Sequence, residues 1–190
     1  KTTGAGRTDT GVHAKKMFAH FDFDGEISEK LVHQLNSFLP PSIAIKRIFK
    51  VKEDFHARFS AKYRTYEYYI SLEKNPFSEK FAWQHWRKSL DVEKMNEACK
   101  ILFEYEDFGS FAKVGADNKT NICKIYHANW EQNGNELKFT ISADRFLRNM
   151  VRAIVGTMVE IGSGKLKPAD LRNVIEAKNR GVAGTSAPAH

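Results

Sequence analysis

The sequence is poor in the features that mark metal-bound, disulfide-linked or membrane proteins. It has only two cysteines in 190 residues, Cys99 and Cys123, and neither forms a close pair with the other or with a histidine. This argues against a zinc site and against a disulfide scaffold, so no metal is expected. It also favours a reducing, cytoplasmic setting. No run of about 18 apolar residues occurs, so no membrane span is expected.

The charge balance favours an anionic partner. Lysine and arginine number 30 against 23 acidic residues, which gives a formal net charge of +7 and a pI near 9.3. RNA or DNA fits this balance better than a small acid does. A globular protein that is merely basic is the plainer alternative, so charge alone decides nothing.

Hydrophobic periodicity predicts two successive groups of secondary-structure elements. The first group is a strand over 17–23, a helix over 28–37 and a strand over 43–51. The second group is a strand over 63–72, a helix over 91–105, a hairpin of 122–131 with 136–141, and helices over 146–161 and 168–178. The hairpin prediction rests on Asn133-Gly134. The mixture indicates an α+β protein with antiparallel or mixed sheets, divided into units 1–54 and 55–190.

The first segment with chemical potential is the loop Gly4–Ala14, in which three glycines surround Arg7 and Asp9. Such a loop is tight and allows close backbone approach. A lone aspartate there is more often a turn former than a catalyst. Asp9-Thr10-Gly11 also matches the aspartic protease triplet, but those enzymes need two carboxylates sharing one proton. Arg7 would hold Asp9 ionised, and a second triplet is absent unless a homodimer supplies it.

The second segment runs from His56 to Tyr68. Arg64, Tyr66 and Tyr68 fall on one face of the predicted strand because side chains alternate with period two. An aromatic ring beside a basic group can stack a nucleobase and hold its phosphate. A surface-facing row of tyrosine and arginine is the structural alternative.

The third segment, Arg145–Gly156, predicts a helix with its apolar residues along one face. Arg152 lies at the margin of that face and is expected to be partly buried, so it needs an anion. Asp9, Asp144 and Glu160 are the candidate partners, and the sequence does not choose among them.

Together, these segments resemble the TruA family of tRNA pseudouridine synthases over essentially the whole chain. The matching motifs, in family order, are Gly-Arg-Thr-Asp-x-Gly-Val-His-Ala, His-Ala-Arg-Phe-Ser-Ala with Arg-x-Tyr-x-Tyr, Phe-Leu-x-x-Met-Val-Arg-x-Ile-Val-Gly, and Gly184–Ala189. The resemblance implies the pseudouridine synthase fold, with two α+β, ferredoxin-like units whose sheets join around a central basic cleft. It also implies a homodimer that isomerises uridines in the anticodon stem-loop of tRNA, at positions 38, 39 and/or 40, without metal or organic cofactor.

The resemblance also implies a role for each matching residue. Asp9 corresponds to the essential catalytic aspartate, as nucleophile or base, and Arg152 to the basic residue that pairs with it, which we expect to be bidentate. Tyr66 corresponds to the aromatic residue that contacts the target base. Arg7 and Arg58 correspond to motif arginines near the RNA or the active-site loop.

One departure from the family pattern concerns the chain ends. The chain begins at Lys1, without the strand and helix that family members carry before the Gly-Arg-Thr-Asp loop, and it lacks their final strand. We therefore expect further residues in the complete protein. A tRNA-binding protein or inactive paralogue with the same fold is the alternative function, against which the set of Asp9, Tyr66 and Arg152 argues.

Overall fold

In the computed structural model, residues 1–28, 30–86 and 89–189 are described, and they form two compact units. The first unit comprises Lys1–Arg7 and Lys16–Ala61, and the second comprises Thr8–Lys15 and Lys62–His190. The loop residue Asp9 therefore belongs to the second unit, together with Tyr66 and Arg152. The domain boundary that the sequence predicts between residues 54 and 55 stays a prediction.

The second unit is an α+β structure built on a four-stranded mixed sheet. Its elements are β3 (Arg64–Ser71), β4 (Trp83–Gln84), α2 (Val92–Ile101), β5 (Ile125–Asn133), β6 (Glu136–Ala143), α3 (Met150–Gly162) and α4 (Asp170–Glu176). The strand order is β4-β3-β6-β5, with β3 and β5 antiparallel to the central β6 and β4 parallel to β3. The predicted α+β class and mixed sheet are therefore confirmed.

The hairpin of β5 and β6 is confirmed, with its turn one residue later than predicted. The last strand pair is Asn133 with Glu136, so the two turn residues are Gly134 and Asn135. Gly134 has φ +58°, in the left-handed region that tight hairpin turns require and that glycine adopts without a steric penalty.

Helix α3 lies in the middle of the core. All of its residues are buried except Arg152 and Glu160, so the prediction of a single apolar face was too narrow. A helix that is apolar on almost every side packs against neighbours all round. The helix begins at Met150 instead of at the predicted 146, because Asn149 has φ +70° and its backbone is not helical.

The other two helices of the second unit are shorter than predicted. Asp91 caps α2 by accepting a hydrogen bond from the backbone N–H of Lys94, and a 3₁₀ turn over Leu102–Glu104 replaces the expected last turn. Helix α4 covers seven residues of the predicted 168–178. No helix in the described ranges combines the length and apolarity needed to cross a bilayer.

The first unit has little regular structure. Strand β1 (Thr3–Gly4) pairs antiparallel with β2 (Ala19–His20), and helix α1 (Lys30–Phe38) has no buried residue. The prediction of a strand over 17–23 was wrong in extent, because only two of its residues form a strand. The prediction of a strand over 43–51 was wrong, because the described residues there contain no strand. A two-residue ladder offers no sheet face for alternate side chains, and Met17 and Phe23 are each 52% exposed.

Candidate active site

Arg152 extends from the first turn of α3 and forms an ion pair with Asp9. Its Nη1 donates to Asp9 Oδ2 at 2.6 Å, and the two side chains are 28% and 33% exposed. The expected partial burial of Arg152 is confirmed, and Asp9 is its carboxylate partner. The contact joins one nitrogen to one oxygen, so the expected bidentate geometry was wrong.

Asp144, one of the two rival partners, is engaged elsewhere. Its Oδ1 accepts hydrogen bonds from the backbone N–H groups of Lys124 at 2.8 Å and Arg145 at 2.7 Å. The Asp144 side chain thus holds the segment that leads into α3. The sequence left the partner of Arg152 open, and the structure shows that it is Asp9.

The loop that carries Asp9 has further contacts within the same unit. The N–H of Val12 donates to the Asp9 carbonyl at 3.2 Å, and Gly11 between them has φ +95°. The ring of His13 lies 4.6 Å from that of Phe81, centroid to centroid. The first contact is a turn within the loop, and the second attaches the loop to the unit on the C-terminal side of Asp9.

A small polar cluster attaches the end of the loop to β3. Lys15 donates to the Tyr69 hydroxyl at 2.7 Å and also to the Glu67 carboxylate, while Tyr69 donates to Glu67 at 2.7 Å. Hydrogen bonds to Glu67 and Tyr69 raise the pKa of Lys15, and the bond from Lys15 lowers the pKa of Glu67. Because the cluster is exposed, it contributes little stability, but it links the loop to the strand that carries Tyr66.

Tyr66 lies on β3 opposite Ile141 of β6. Its ring meets that of Phe146 edge to face, with centroids 5.2 Å apart and planes at 88°. Burial raises the pKa of Tyr66, the negative charge of Asp9 raises it further, and the positive charge of Arg64 acts in the opposite direction. The phenol is therefore held in its neutral form near the charge of Asp9.

The other two members of the predicted row are structural. Tyr68 is buried and donates its hydroxyl to the Pro188 carbonyl at 2.8 Å, and burial raises its pKa. Arg64 Nη1 donates to the Asp144 carbonyl at 3.0 Å. The three side chains share one face, as predicted, but that face packs on the core, so the alternative of a surface-facing row was wrong.

Residues 184–189, called the 184–189 segment below, contact both the backbone and the side chain of Arg152. The Ala187 N–H donates to the Arg152 carbonyl at 3.0 Å, and Arg152 Nε donates to the Ala187 carbonyl at 2.7 Å. The sequence identified this segment only as a motif, without a role. Gly156 and Gly184 are the sequence signal for a contact between this segment and α3, because glycine occurs where two backbones approach closely.

The closest approach lies between Gly156 of α3 and this segment. A Cβ added at Gly156 would be 1.8 Å from the Thr185 carbonyl oxygen. Next to it, the N–H of Gly184 donates to the buried Thr157 hydroxyl at 2.9 Å, and that hydroxyl donates to the Ala153 carbonyl at 2.9 Å. The segment is thus seated directly on the helix that carries Arg152.

The structure places the predicted residues in two groups. Asp9, Tyr66 and Arg152 belong to the second unit, whereas Arg7 and Arg58 belong to the first. Arg7 is exposed, and Arg58 is partly buried with its guanidinium 5.5 Å from the Phe59 ring centroid. Phe146, which contacts Tyr66, is a site residue to which sequence reasoning gave no role.

The thiols are unsuited to nucleophilic chemistry. Burial raises the pKa of Cys99 to about 12 and that of Cys123 to about 11, so both remain protonated near neutral pH. Within residues 1–28, 30–86 and 89–189, no three His, Cys, Asp or Glu side chains are grouped so that they could hold a metal ion.

Known proteins resemble this chain along nearly its whole length. A sequence model described as tRNA pseudouridine synthase matches residues 98–190. The chain is 54% identical over 189 residues to tRNA pseudouridine synthase A of Parabacteroides distasonis, covering 98% of the chain and 75% of the relative. It is 54% identical to the protein of that name from Bacteroides fragilis, covering 97% of the chain and 74% of the relative. For the Bacillus subtilis protein the identity is 39%, covering 98% and 76%. The chain therefore belongs to the tRNA pseudouridine synthase family, a family of isomerases.

Proposed function

We propose that this protein isomerises uridine to pseudouridine in tRNA, with Asp9 as the catalytic nucleophile or base. The observation that carries the proposal is the Asp9–Arg152 ion pair of 2.6 Å in the unit that also holds Tyr66. Each of the three residues also lies in one of the sequence motifs that resemble the family. Relatives named tRNA pseudouridine synthase A support the same substrate and reaction.

The geometry of Asp9 suits chemistry at the sugar. The reaction breaks the bond from C1′ to uracil N1, turns the base and forms a bond from C1′ to C5; C5 loses its proton and N1 gains one, so the product is an isomer of the substrate. Arg152 holds Oδ2, whereas Oδ1 accepts no hydrogen bond from a described residue. Because the side chain is one-third exposed, Oδ1 can face an entering ribose while the guanidinium fixes the direction of the carboxylate.

The Tyr66 ring suits the flipped base. The target nucleotide must leave its stack, which costs a few kcal/mol and least for a base that is unpaired or weakly paired. Stacking on an aromatic ring stabilises the flipped base by about 1–3 kcal/mol. Phe146 fixes the plane of Tyr66 by its edge-to-face contact, so the ring is oriented before the base arrives.

The remaining parts of the proposal come from the family resemblance. We propose that Arg7 and Arg58 contact the RNA backbone and that the target uridines lie in the anticodon stem-loop, at positions 38, 39 and/or 40. We also propose catalysis without a cofactor, by a homodimer in the cytoplasm. The proposed complete fold has two ferredoxin-like units whose sheets join around a central basic cleft.

The test is pseudouridine mapping on an unmodified tRNA transcript with metal chelated, using wild type, Asp9→Asn and Asp117→Asn. Asp117 is an exposed aspartate of the same unit, so its variant removes the same charge from a different place. We expect pseudouridine with wild type and Asp117→Asn, and none with Asp9→Asn despite retained tRNA binding. A wild type that binds tRNA but forms no pseudouridine would instead favour a tRNA-binding protein, and an active Asp9→Asn would remove Asp9 from the mechanism.

A further inference from the structure

Two side chains from different parts of the second unit donate to one hydroxyl. Asn149 Nδ2 lies 2.7 Å from Ser186 Oγ, and Arg180 Nη2 lies 2.8 Å from the same oxygen. Asn149 immediately precedes α3, and Arg180 begins a 3₁₀ turn over Arg180–Val182. Ser186 thus connects the start of the helix to the turn that leads into the 184–189 segment.

Arg180 holds this segment at two points. Its Nη1 donates to the Ala183 carbonyl at 3.1 Å while its Nη2 donates to Ser186. Among the ion pairs of the described residues, none involves Arg180. The planar guanidinium therefore fixes the distance between residues 183 and 186 through two neutral acceptors, and charged donors make the stronger hydrogen bonds.

Asn149 has a backbone conformation that directs its side chain to Ser186. Its φ of +70° lies in the left-handed region, which is unfavourable for most residues and tolerated by asparagine. An asparagine directly before a helix usually accepts a hydrogen bond from a backbone N–H of the first turn. Here the side chain forms no such cap and its amide donates to Ser186.

This network of hydrogen bonds ends at Ser186, next to the Ala187 carbonyl that accepts from Arg152. Ser186 precedes Ala187, whose carbonyl accepts from Arg152 Nε at 2.7 Å while Nη1 of the same guanidinium donates to Asp9. The donors of a guanidinium have fixed directions in one plane. If the Ala187 carbonyl shifts, the guanidinium of Arg152 must turn to follow it. Nη1 would then either lose its bond to the Asp9 carboxylate or rotate that carboxylate.

We propose that Arg180, Asn149 and Ser186 are positioning residues that set the direction of the Asp9 carboxylate through Ala187 and Arg152. The inference rests on the proposed function for its catalytic consequence. None of the three side chains needs to touch the substrate. A displacement of about 1 Å at a catalytic group costs on the order of a hundredfold in rate, so loss of the network lowers kcat.

The kinetic test uses Ser186→Ala, Ser186→Thr and Asn149→Gly, with Ser163→Ala as the matched control. Ser163 bonds the Glu160 carbonyl at the far end of α3. Ser186→Ala and Asn149→Gly are expected to lower kcat roughly ten- to a hundredfold, with KM for tRNA and Tm little changed. Ser186→Thr keeps the hydroxyl and is expected to restore most of the loss. Glycine adopts positive φ readily, so Asn149→Gly removes the side chain without adding backbone strain.

A second measurement reads the position of Arg152 without activity. The Nε–H signal of Arg152, assigned with Arg152→Lys, is followed by nuclear magnetic resonance for exchange with water. We expect slow exchange in wild type and Ser186→Thr, and fast exchange in Ser186→Ala. If wild type is inactive but this pattern holds, the positioning network stands and the proposed reaction falls. Unchanged exchange in Ser186→Ala, or a loss of Tm with unchanged kcat of the folded fraction, would overturn the inference.

Discussion

Substitution of Gly156 by alanine tests whether the 184–189 segment positions Arg152. The added Cβ would lie 1.8 Å from the Thr185 carbonyl oxygen, whereas ordinary van der Waals contact begins near 3.4 Å. The segment must therefore retreat by roughly 1.6 Å, because a backbone carbonyl cannot rotate away as a flexible side chain does. A retreat of that size would carry the Ala187 carbonyl from 2.7 Å beyond hydrogen-bonding range of Arg152 Nε.

The expected magnitude combines two opposing effects. Overpacking a core lowers the free energy of unfolding by about 1–3 kcal/mol. Replacing a helical glycine by alanine raises it by up to about 1 kcal/mol. We expect the free energy of unfolding to fall by about 1–2 kcal/mol, which corresponds to a Tm lower by roughly 2–8 °C. The kcat of the folded protein should fall by about a hundredfold, because Arg152 loses one of its two fixed acceptors.

Gly162→Ala is the matched control in the same helix. Its added Cβ would meet Met95 Sδ at 2.6 Å and Cγ at 3.0 Å, which belong to a flexible side chain that can move. Urea denaturation and initial rates of pseudouridine formation are measured for both variants. We expect Gly162→Ala to remain within about 1 kcal/mol of wild type with unchanged kcat. A Gly156→Ala protein with wild-type stability and kcat would refute the described seating of the segment on α3.

Three further predictions concern the site and the core. Arg152→Lys keeps the charge but lacks the planar donors that bond Ala187 and Asp9 at the same time. The rate should therefore fall roughly ten- to a hundredfold in single-turnover assays with saturating enzyme. Wild-type rates would contradict this. Tyr66→Leu removes the ring and should lower kcat/KM by roughly 5- to 150-fold, the equivalent of about 1–3 kcal/mol of stacking, and Tyr66→Phe by less; equal losses in the two variants would exclude stacking as the role. Burial raises the pKa of Cys99 from 9.0 to about 12 and that of Cys123 from 9.0 to about 11. Above pH 9 the unfolded thiols therefore lose protons that the folded ones keep, and stability should fall with rising pH by about 1.4 kcal/mol per pH unit per thiol. Urea denaturation between pH 8 and 10.5 should show a shallower fall in a Cys99→Ala, Cys123→Ala double variant, and an identical slope would contradict the assignment.

The second unit was the more predictable part of the fold. Strand β3 and the β5–β6 hairpin were found because alternation and the Asn133-Gly134 signal are local properties of the chain. The start of α3 was missed because Asn149 takes its backbone conformation while its side chain bonds Ser186, 37 residues away. Local propensity cannot register such a distant bond.

The candidate site was predictable in its residue types but not in its geometry. Arg152 was identified as needing an anion, because an arginine among buried apolar residues is costly without one. Asp9, Asp144 and Glu160 are equivalent partners on that argument, since charge and residue type do not encode distance. The first unit departs furthest from expectation: the alternating pattern of residues 17–23 predicts a half-buried face, yet most of the apolar side chains on that face are exposed.

The measurement that tests the central claim most directly is single-turnover pseudouridine formation on one tRNA transcript by wild type and Asp9→Asn, with binding measured in parallel. The substitution preserves size while removing the negative charge that faces Arg152. The account predicts pseudouridine at anticodon stem-loop uridines with wild type, none with Asp9→Asn, and similar tRNA affinity for both. Comparable rates for the two proteins would contradict the assignment of Asp9 as the catalytic carboxylate.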